Sequence, residues 1–584
     1  MHKWMKEAFL RRLTQVEGAY DPEIGLIAEI ISGRNYHTAR TSGKVHRVRE
    51  NVEYAVALLI RGGDADIVRA QRILKMVLAI QDQNPDSATY GVWPYLFEEP
   101  MDQMLNPDWN WAAFIGKALL QAHSDFGDVL SDIVLADVRR ALSCACQCIM
   151  QRRIAVDYTN ISLMSAYVTL HAGLLLKDDA AYQYGLERLN RQAEFVERNG
   201  SISEYNSPDY GLVDLEEMGR ILRYLPQPEI QKPARMINDA LWKMLASHYH
   251  QPTKQLAPPH IRCYADVKGA RLLTALEIGT GFQAELLSPE EMVVDLPWPL
   301  VEFSCPEQYL HFFTATGEER SYVDTFYRGY DPVQPDEVRV LLEKGLPSMT
   351  ATTHFTSRWC MGSFDRQDTW NQRRPFMAYI RNGEGICVLR VRLMHDDMDF
   401  ASGILETIQE KNQSVCGLHL ASDHGDYHYI LDPLKNEELK GHELTMVIKL
   451  DGAVEGVSCV QTDDEHFQFN VGETKIYMTW LASKGAGGEK PVLFQDGSKV
   501  GLKYCLCKGT DGRIAYPKTL RAGCAFAISL DETALAQCEQ ESGGCTIRLG
   551  SRDKYIPWSL VPYAPCPVGE YRSVKNGGFM YHEE

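Results

Sequence analysis

The hydrophobic period changes once along this chain, and that change constrains the fold more than any other feature. Before Leu287, apolar residues recur at three- and four-residue steps, as in VEYAVALLIRGG, ADIVRAQRILKMVLAIQDQ, WAAFIGKALLQAHSDFG, ISLMSAYVTLHAGLLL, DLEEMGRILRYL and ARMINDALWKMLASHYH. That spacing is the signature of amphipathic helices, and Gly and Asp/Asn clusters punctuate them. After Pro289 the texture becomes short runs rich in β-branched and aromatic residues: VVDLPWPLVEFS, QYLHFFTAT, RSYVDTFYRGY, ICVLRVRLM, YHYILDP, LTMVIKL, TKIYMTWLAS, CAFAISL and CTIRLG. Turn residues separate these runs, which is the pattern of antiparallel strands. The expected fold class is therefore α+β and multidomain. Residues 1–288 should form a helical (α/α) toroid or incomplete barrel, and residues 289–584 a large antiparallel β-sandwich. The segment from Leu286 to Pro299 reads as the hinge, and no strict internal repeat is present.

At 584 residues, with 45% hydrophobic and 24% charged composition, the chain can bury large cores without disulfides. Its formal net charge of -18 argues against nucleic acid as a partner, because a polyphosphate needs a basic surface. The N-terminus, MHKWMKEAFLRRLTQVEGAYD, lacks the apolar core and cleavage site of a signal peptide. No uninterrupted apolar run reaches the roughly 18 residues of a membrane span. The expectation is a cytoplasmic protein with no membrane partner, although a mature exported chain would read the same. Fifteen cysteines, an odd number, fit reduced thiols. Cys144 and Cys148 in LSCACQCIM share one helical face without a second donor pair at zinc-site spacing, so packing is their expected role.

Two stretches stand out together. YTNISLMSAYVTLHAGLLL begins at Tyr158, and after one further helix comes NGSISEYNSPDY, residues 199–210. The ordered pair resembles the heparinase II/III-like polysaccharide lyases, a group that includes related alginate lyases. Those proteins carry an Asn-rich helix start and then a "DG…E.SP.Y" element. Asn160 matches the first, and Gly200, Glu204, Ser207, Pro208 and Tyr210 match the second. Two departures are plain. Thr159-Asn160-Ile161 stands where the family has Asn-Asn-His, and Gly211 stands where a histidine commonly follows the tyrosine.

The resemblance implies β-elimination at a uronic acid, with an acidic poly- or oligosaccharide as partner and no required cofactor. Such a reaction needs a group that neutralises the carboxylate, a base for the C5 proton and an acid for the leaving oxygen. By resemblance, Asn160 would neutralise the carboxylate and Tyr210 would be the acid, or acid and base together. Asn is also a favoured helix N-cap, so Asn160 has a second reading. Tyr205 and Asn206 would contact sugar or catalytic groups. In APPHIRCYADVKGAR, the alternating His260, Arg262, Tyr264 and Asp266 should share one side of an extended run. Such a trio suits an anionic sugar: Arg262 for the carboxylate, Tyr264 as a sugar contact and His260 for proton transfer, which makes His260 the first substitute for the missing histidine. The resemblance also implies a histidine from the β region, for which His354 is the candidate. Nearby Trp370 suits stacking on a sugar ring.

Two N-terminal stretches also carry chemistry. RNYHTARTSGKVHRVRE holds His37, His46, Arg47 and Arg49, while GVWPYLFEEPMDQMLNPDWNWAAF is a long loop whose Trp109 and Asn110 suit a sugar subsite. HDDMD (395–399) and DHGDYH (423–428) offer oxygen and imidazole donors for a divalent metal in the β region. Two rival functions remain open. One is a glycoside hydrolase using paired carboxylates drawn from Glu98, Glu99, Asp108 and Glu204. The other is a non-catalytic carbohydrate-binding relative. The sugar, the linkage, endo or exo action and any homo-oligomer are not legible.

Overall fold

The computed structural model describes residues 2–33, 35–156, 158–315, 317–327, 349–366, 372–421, 437–488, 490–541, 544–550 and 555–556. The chain divides into two compact units that interleave in sequence, rather than parting at a single break after residue 288. The first is Met1–Glu197, Leu212–Trp242 and Gly269–Glu307; the second is Arg198–Gly211, Lys243–Lys268 and Gln308–Glu584.

The first unit is built of antiparallel helices in succession. Helix Val48–Arg61 stops at Gly62, whose φ of 78° lets its N–H reach Leu58 O, and helix Asp64–Ala79 turns back against it with Asp64 and Asp66 in its first turn. Arg61 clamps that corner by donating to Glu17 and to Asp66. Helix Trp111–Phe126 packs on Val48–Arg61, on Asp132–Arg152 and on Thr159–Leu176. The last of these is long and apolar enough to cross a membrane by length and composition, yet most of it is buried within its unit. Cys144, Cys146 and Cys148 are buried in helix Asp132–Arg152, and every cysteine among the described residues is free. Short hairpins, Tyr20–Asp21 with Leu26–Ile27 and Glu29–Ser32 with Ser42–Val45, lie in the helical half. Conversely, two stretches expected as strands are not: QYLHFFTAT forms the helical turns Glu307–Tyr309 and His311–Thr314, and VVDLPWPLVEFS holds the turn Trp298–Leu300. Prolines at 297 and 299 remove backbone donors that a ladder would need.

The second unit is a sandwich. Its larger sheet runs Val492–Asp496, Lys499–Lys508, Glu443–Gly452, Gly385–His395, Phe376–Asn382, Trp359–Phe364, Met349–Phe355 and Arg320–Tyr327, all antiparallel, with Met398–Asp399 paired to Gly385–His395. The smaller sheet runs Gly403–Glu410, Gln413–Leu420, Gly523–Leu530, Thr474–Lys484, His466–Val471 and Ser458–Gln461. Between them Trp359, Met361, Phe376, Ala378 and Ile380 meet Leu405, Leu418, Phe469, Trp480 and Phe526. Cys545, Ile547 and Leu549 cover the outer face of the smaller sheet.

Strand alternation gives the larger sheet a second face. There Phe355, Cys360, Met377, Tyr379 and Val388 pack with Ala257. The two excursions from the helical half, 198–211 and 243–268, are anchored on this face. Thr353 Oγ1 donates to Pro258 O at 2.7 Å, and Gly362 lies under the same carbonyl. A Cβ at Gly362 would stand 1.9 Å from Pro258 O, backbone that cannot swing aside. Gly362→Ala should therefore destabilise the second unit by about 1–3 kcal/mol through overpacking, measurable as a lowered urea midpoint.

Candidate functional site

The stretch NGSISEYNSPDY is stitched to residues 257–264 almost residue by residue. Gly200, at φ 79°, opens the loop after helix Asp179–Asn199. Asn206 adopts φ 48° and donates through Nδ2 to Ala257 O at 2.7 Å and Pro259 O at 2.9 Å. Ile261 N donates to Tyr205 O at 3.3 Å. Ser207 then caps helix Tyr210–Tyr224: its Oγ accepts from Tyr210 N at 3.0 Å and donates to Arg262 O at 2.6 Å. Ser-Pro is thus a helix start, with Ser as N-cap and Pro in the first turn, where no N–H is needed.

This scaffold sets Tyr210 beside Arg262. The guanidinium lies 3.9 Å from the Tyr210 ring centroid and donates through Nη2 to Tyr210 Oη at 2.8 Å. Its Nη1 donates to Glu204 Oε1 at 2.5 Å and its Nε to Gln372 Oε1 at 3.0 Å. Glu204 has no accessible side-chain surface and Arg262 exposes 8% of its own. Tyr264 Oη lies 2.5 Å from Tyr210 Oη. Tyr210 is half-buried and Tyr264 is 64% exposed, so the pair opens to solvent. Asp209 borders it, accepting from Tyr264 N at 2.9 Å and from Lys268 Nζ at 2.5 Å.

His260 lies beneath the loop. It has no accessible surface, and its Nδ1 donates to Asn206 O at 2.7 Å, since a carbonyl can only accept. Tyr379 Oη approaches Nε2 at 3.5 Å, and burial pushes the imidazole down to about 3. His260 therefore secures the Asn206 turn, with no route to a sugar proton. His354 alternates onto the opposite face of the sheet. Its neighbours Thr353 and Phe355 point to the loops, whereas its ring lies 5.4 Å from Trp359 of the sandwich core and its Nδ1 lies 2.7 Å from Ser321 Oγ. It does not join Tyr210. The expected Asp266 does not reach Tyr210 either: it accepts from Arg374 at 2.9 Å and Arg390 at 2.8 Å. Burial alone would raise its pKa, but the charges of Arg390, Arg374 and Lys449 hold it well below the usual carboxylate range. Asp266 fastens the 257–268 segment to the sheet.

Tyr205 is buried and belongs to a cluster that the sequence did not suggest. Its Oη lies 2.9 Å from His248 Nε2 and 2.7 Å from Asp324 Oδ2, while its ring stacks on Phe326. Nothing in LASHYH or SYVDTF singles out these partners, because strand pairing and a helix end bring them together. Of the remaining candidates, Trp370 lies outside the described residues. Asn160 is buried in the second position of helix Thr159–Leu176, where the N-cap is Tyr158, so the N-cap reading of Asn160 does not hold. Asn160, Trp109 and Asn110 all belong to the first unit. Asn110 caps helix Trp111–Phe126 and accepts from Arg152 Nη1 at 2.5 Å, and half-buried Trp109 donates to Ala88 O at 2.9 Å. There Trp111 stacks on Tyr95 with His37 alongside, and His46 is paired with Asp21 and Glu98. The first unit also holds a chain of charges, buried from Lys117 through Glu217 and Arg220 to Glu216 and ending on the half-buried Arg271.

Among the described residues no group of three or more His, Cys, Asp or Glu is placed to hold a metal. In HDDMD, Asp399 is engaged by Arg390 and Arg392, and Asp396 by the backbone of His442 and Glu443. DHGDYH lies outside the described residues.

A family described as a domain of unknown function, DUF8769, matches residues 6–282. No curated protein matches the chain. Among solved structures it is similar to a chondroitin AC lyase of Streptomyces coelicolor A3 in complex with chondroitin sulphate, at 9% identity and a TM-score of 0.43, covering 86% of this chain and 79% of that one. It is also similar to heparan sulfate lyase HepC from Pedobacter heparinus, at 9% identity and a TM-score of 0.37, covering 88% of this chain and 82% of the other. The functional reading stands on the side chains.

Two outcomes follow from the geometry. Glu204→Gln leaves the buried Arg262 charge uncompensated and should cost about 3–5 kcal/mol, read from urea unfolding. The second concerns acid. Burial lowers His260 to about 3, His250 to about 4 and His248 below its ordinary 6.5. Folding favours the neutral form of each ring, so the unfolded chain binds more protons below about pH 6.5. Stability should then fall with decreasing pH, by up to about 1.4 kcal/mol per pH unit for each histidine, until the folded values are reached. A urea midpoint at about pH 5 that equals or exceeds the one at about pH 7.5 would contradict this.

Proposed function

We propose that this protein is a lyase that cleaves a glycosidic bond at a uronic acid by β-elimination, acting on an acidic oligo- or polysaccharide. One observation carries the reading: an accessible tyrosine oxygen, Tyr210 Oη, receives a hydrogen bond from a guanidinium that also lies against its ring. A phenol held this way is suited to act as a phenolate base, because a charge-assisted donor favours the charged form of its oxygen. Proton abstraction at C5 needs such an oxygen within hydrogen-bond reach of the substrate.

Each neighbouring group has a supporting part in this reading. Glu204 and Gln372 orient Arg262, so the fork meets Tyr210 rather than swinging into solvent. Lys268, bound to Asp209 at the edge of the pair, is a cation close enough to these hydroxyls to take part in meeting the substrate carboxylate. His260 is a positioning residue for the loop. Glu204, completely buried and spent on Arg262, is unsuited to the acid of a hydrolase, which must reach the glycosidic oxygen.

The test is incubation with a panel of uronate oligosaccharides, followed by the ultraviolet absorbance of the conjugated alkene that elimination creates. Tyr210→Phe should lower that rate by about 10²-fold or more while leaving the urea midpoint near that of the parent. New reducing ends without the absorbance would mean hydrolysis and overturn the proposal.

A further inference from the structure

The hydroxyl pair Tyr210–Tyr264 contains more than a base needs. Tyr264 is exposed over 64% of its surface, so its ring packs little, yet its oxygen lies 2.5 Å from that of Tyr210. Its position comes from its backbone. Its N–H donates to Asp209 Oδ2 at 2.9 Å, and Cys263, just before it, donates to Gln372 O at 2.8 Å. An exposed tyrosine held by its main chain against a second tyrosine oxygen is an arrangement for exchanging a proton.

Tyr210 Oη already accepts from Arg262 Nη2. The 2.5 Å separation admits one hydrogen between the two oxygens. When Tyr210 is a phenolate, Tyr264 supplies that hydrogen, and the charged oxygen has two donors, as an oxyanion requires. When Tyr210 carries a proton, it donates to Tyr264. A proton therefore passes between the rings without either residue moving.

We propose that Tyr264 is the general acid of the reaction: it protonates the departing C4 oxygen while Tyr210 takes the C5 proton, and the hydrogen bond they share resets the pair. This rests on the lyase reading above. The step balances. The C5–H bond breaks and its proton goes to Tyr210 Oη. The C5 electron pair forms the C4–C5 double bond, and the C4–O bond breaks with its electrons going to oxygen. That oxygen takes the proton of Tyr264. Tyr210 then returns a proton to Tyr264, restoring phenolate and phenol with no outside reactant. Because the two oxygens lie side by side, both protons move on one face of the sugar. The suited substrates are uronates whose C5 hydrogen and C4 oxygen share a face, as in D-glucuronate and D-mannuronate, rather than their C5 epimers.

The experiment uses the full chain with oligosaccharides of D-glucuronate and D-mannuronate, those of their C5 epimers, and a 4-deoxy-4-fluoro uronoside. Fluoride departs without needing a full proton. Tyr264→Phe should slow oligosaccharide cleavage by about 10²–10⁴-fold but slow loss of fluoride far less, while Tyr210→Phe should abolish both. Equal losses on both substrates would assign Tyr264 a structural part and overturn the proposal, as would retention of cleavage within about threefold. Faster turnover of the C5 epimers would overturn the shared-face geometry. A parent protein that produces alkene from none of these compounds would instead remove the lyase reading, and this inference with it.

Discussion

The buried contact between Arg262 and Glu204 is the constraint on which the rest of the site depends. A guanidinium in this position has given up most of its water and must be repaid by charge and hydrogen bonds at short range. Glu204 supplies the charge, and Gln372 and Tyr210 each accept a further N–H. Since the fork is planar and its donors are fixed in direction, satisfying all three partners leaves one orientation. That orientation presses Arg262 against the Tyr210 ring and aims a donor at its oxygen. A lysine could neutralise Glu204 but could not hold the tyrosine.

Around that contact, the second unit uses its large sheet as a rigid bed. The 257–268 segment has little regular structure of its own, so its position depends on side chains. Thr353 holds Pro258, His260 holds Asn206, and Asp266 lies among Arg374, Arg390 and Lys449. The 198–211 loop is held through that segment and through Tyr205, whose hydroxyl is shared between His248 and Asp324. Sites held on strands keep their geometry better than sites held by loops alone. Here two loops gain that precision by being bonded to a sheet face.

Buried histidines follow from the same construction. His248, His250 and His260 fill polar gaps where the excursions meet the sheet, each using a ring nitrogen to satisfy a backbone oxygen. Each bond needs only a ring N–H, and it is burial that favours the neutral ring. Buried in this way, none of the three is open to a substrate.

Local pattern in the chain is enough for the succession of helices and strands, because hydrophobic period reflects which faces must be buried and is local to each segment. It also marked the Asn199–Tyr210 stretch and the His260–Asp266 run, since polar and aromatic residues so dense between helices are hard to explain as connectors. Period could not separate QYLHFFTAT from a strand, because a short apolar run suits either state. Which of the marked residues meet is a property of the fold. His354 and His260 are both candidates for the catalytic histidine by sequence, and strand alternation put them on opposite faces of a sheet. Tyr264 looked like a sugar contact, and the fold placed its oxygen beside that of Tyr210. Those outcomes depend on strand register and on where a loop crosses a sheet, which arise from pairings between residues 50 to 120 positions apart, as between Arg262 and Tyr210 or His260 and Tyr379. No local pattern in the chain encodes such distances.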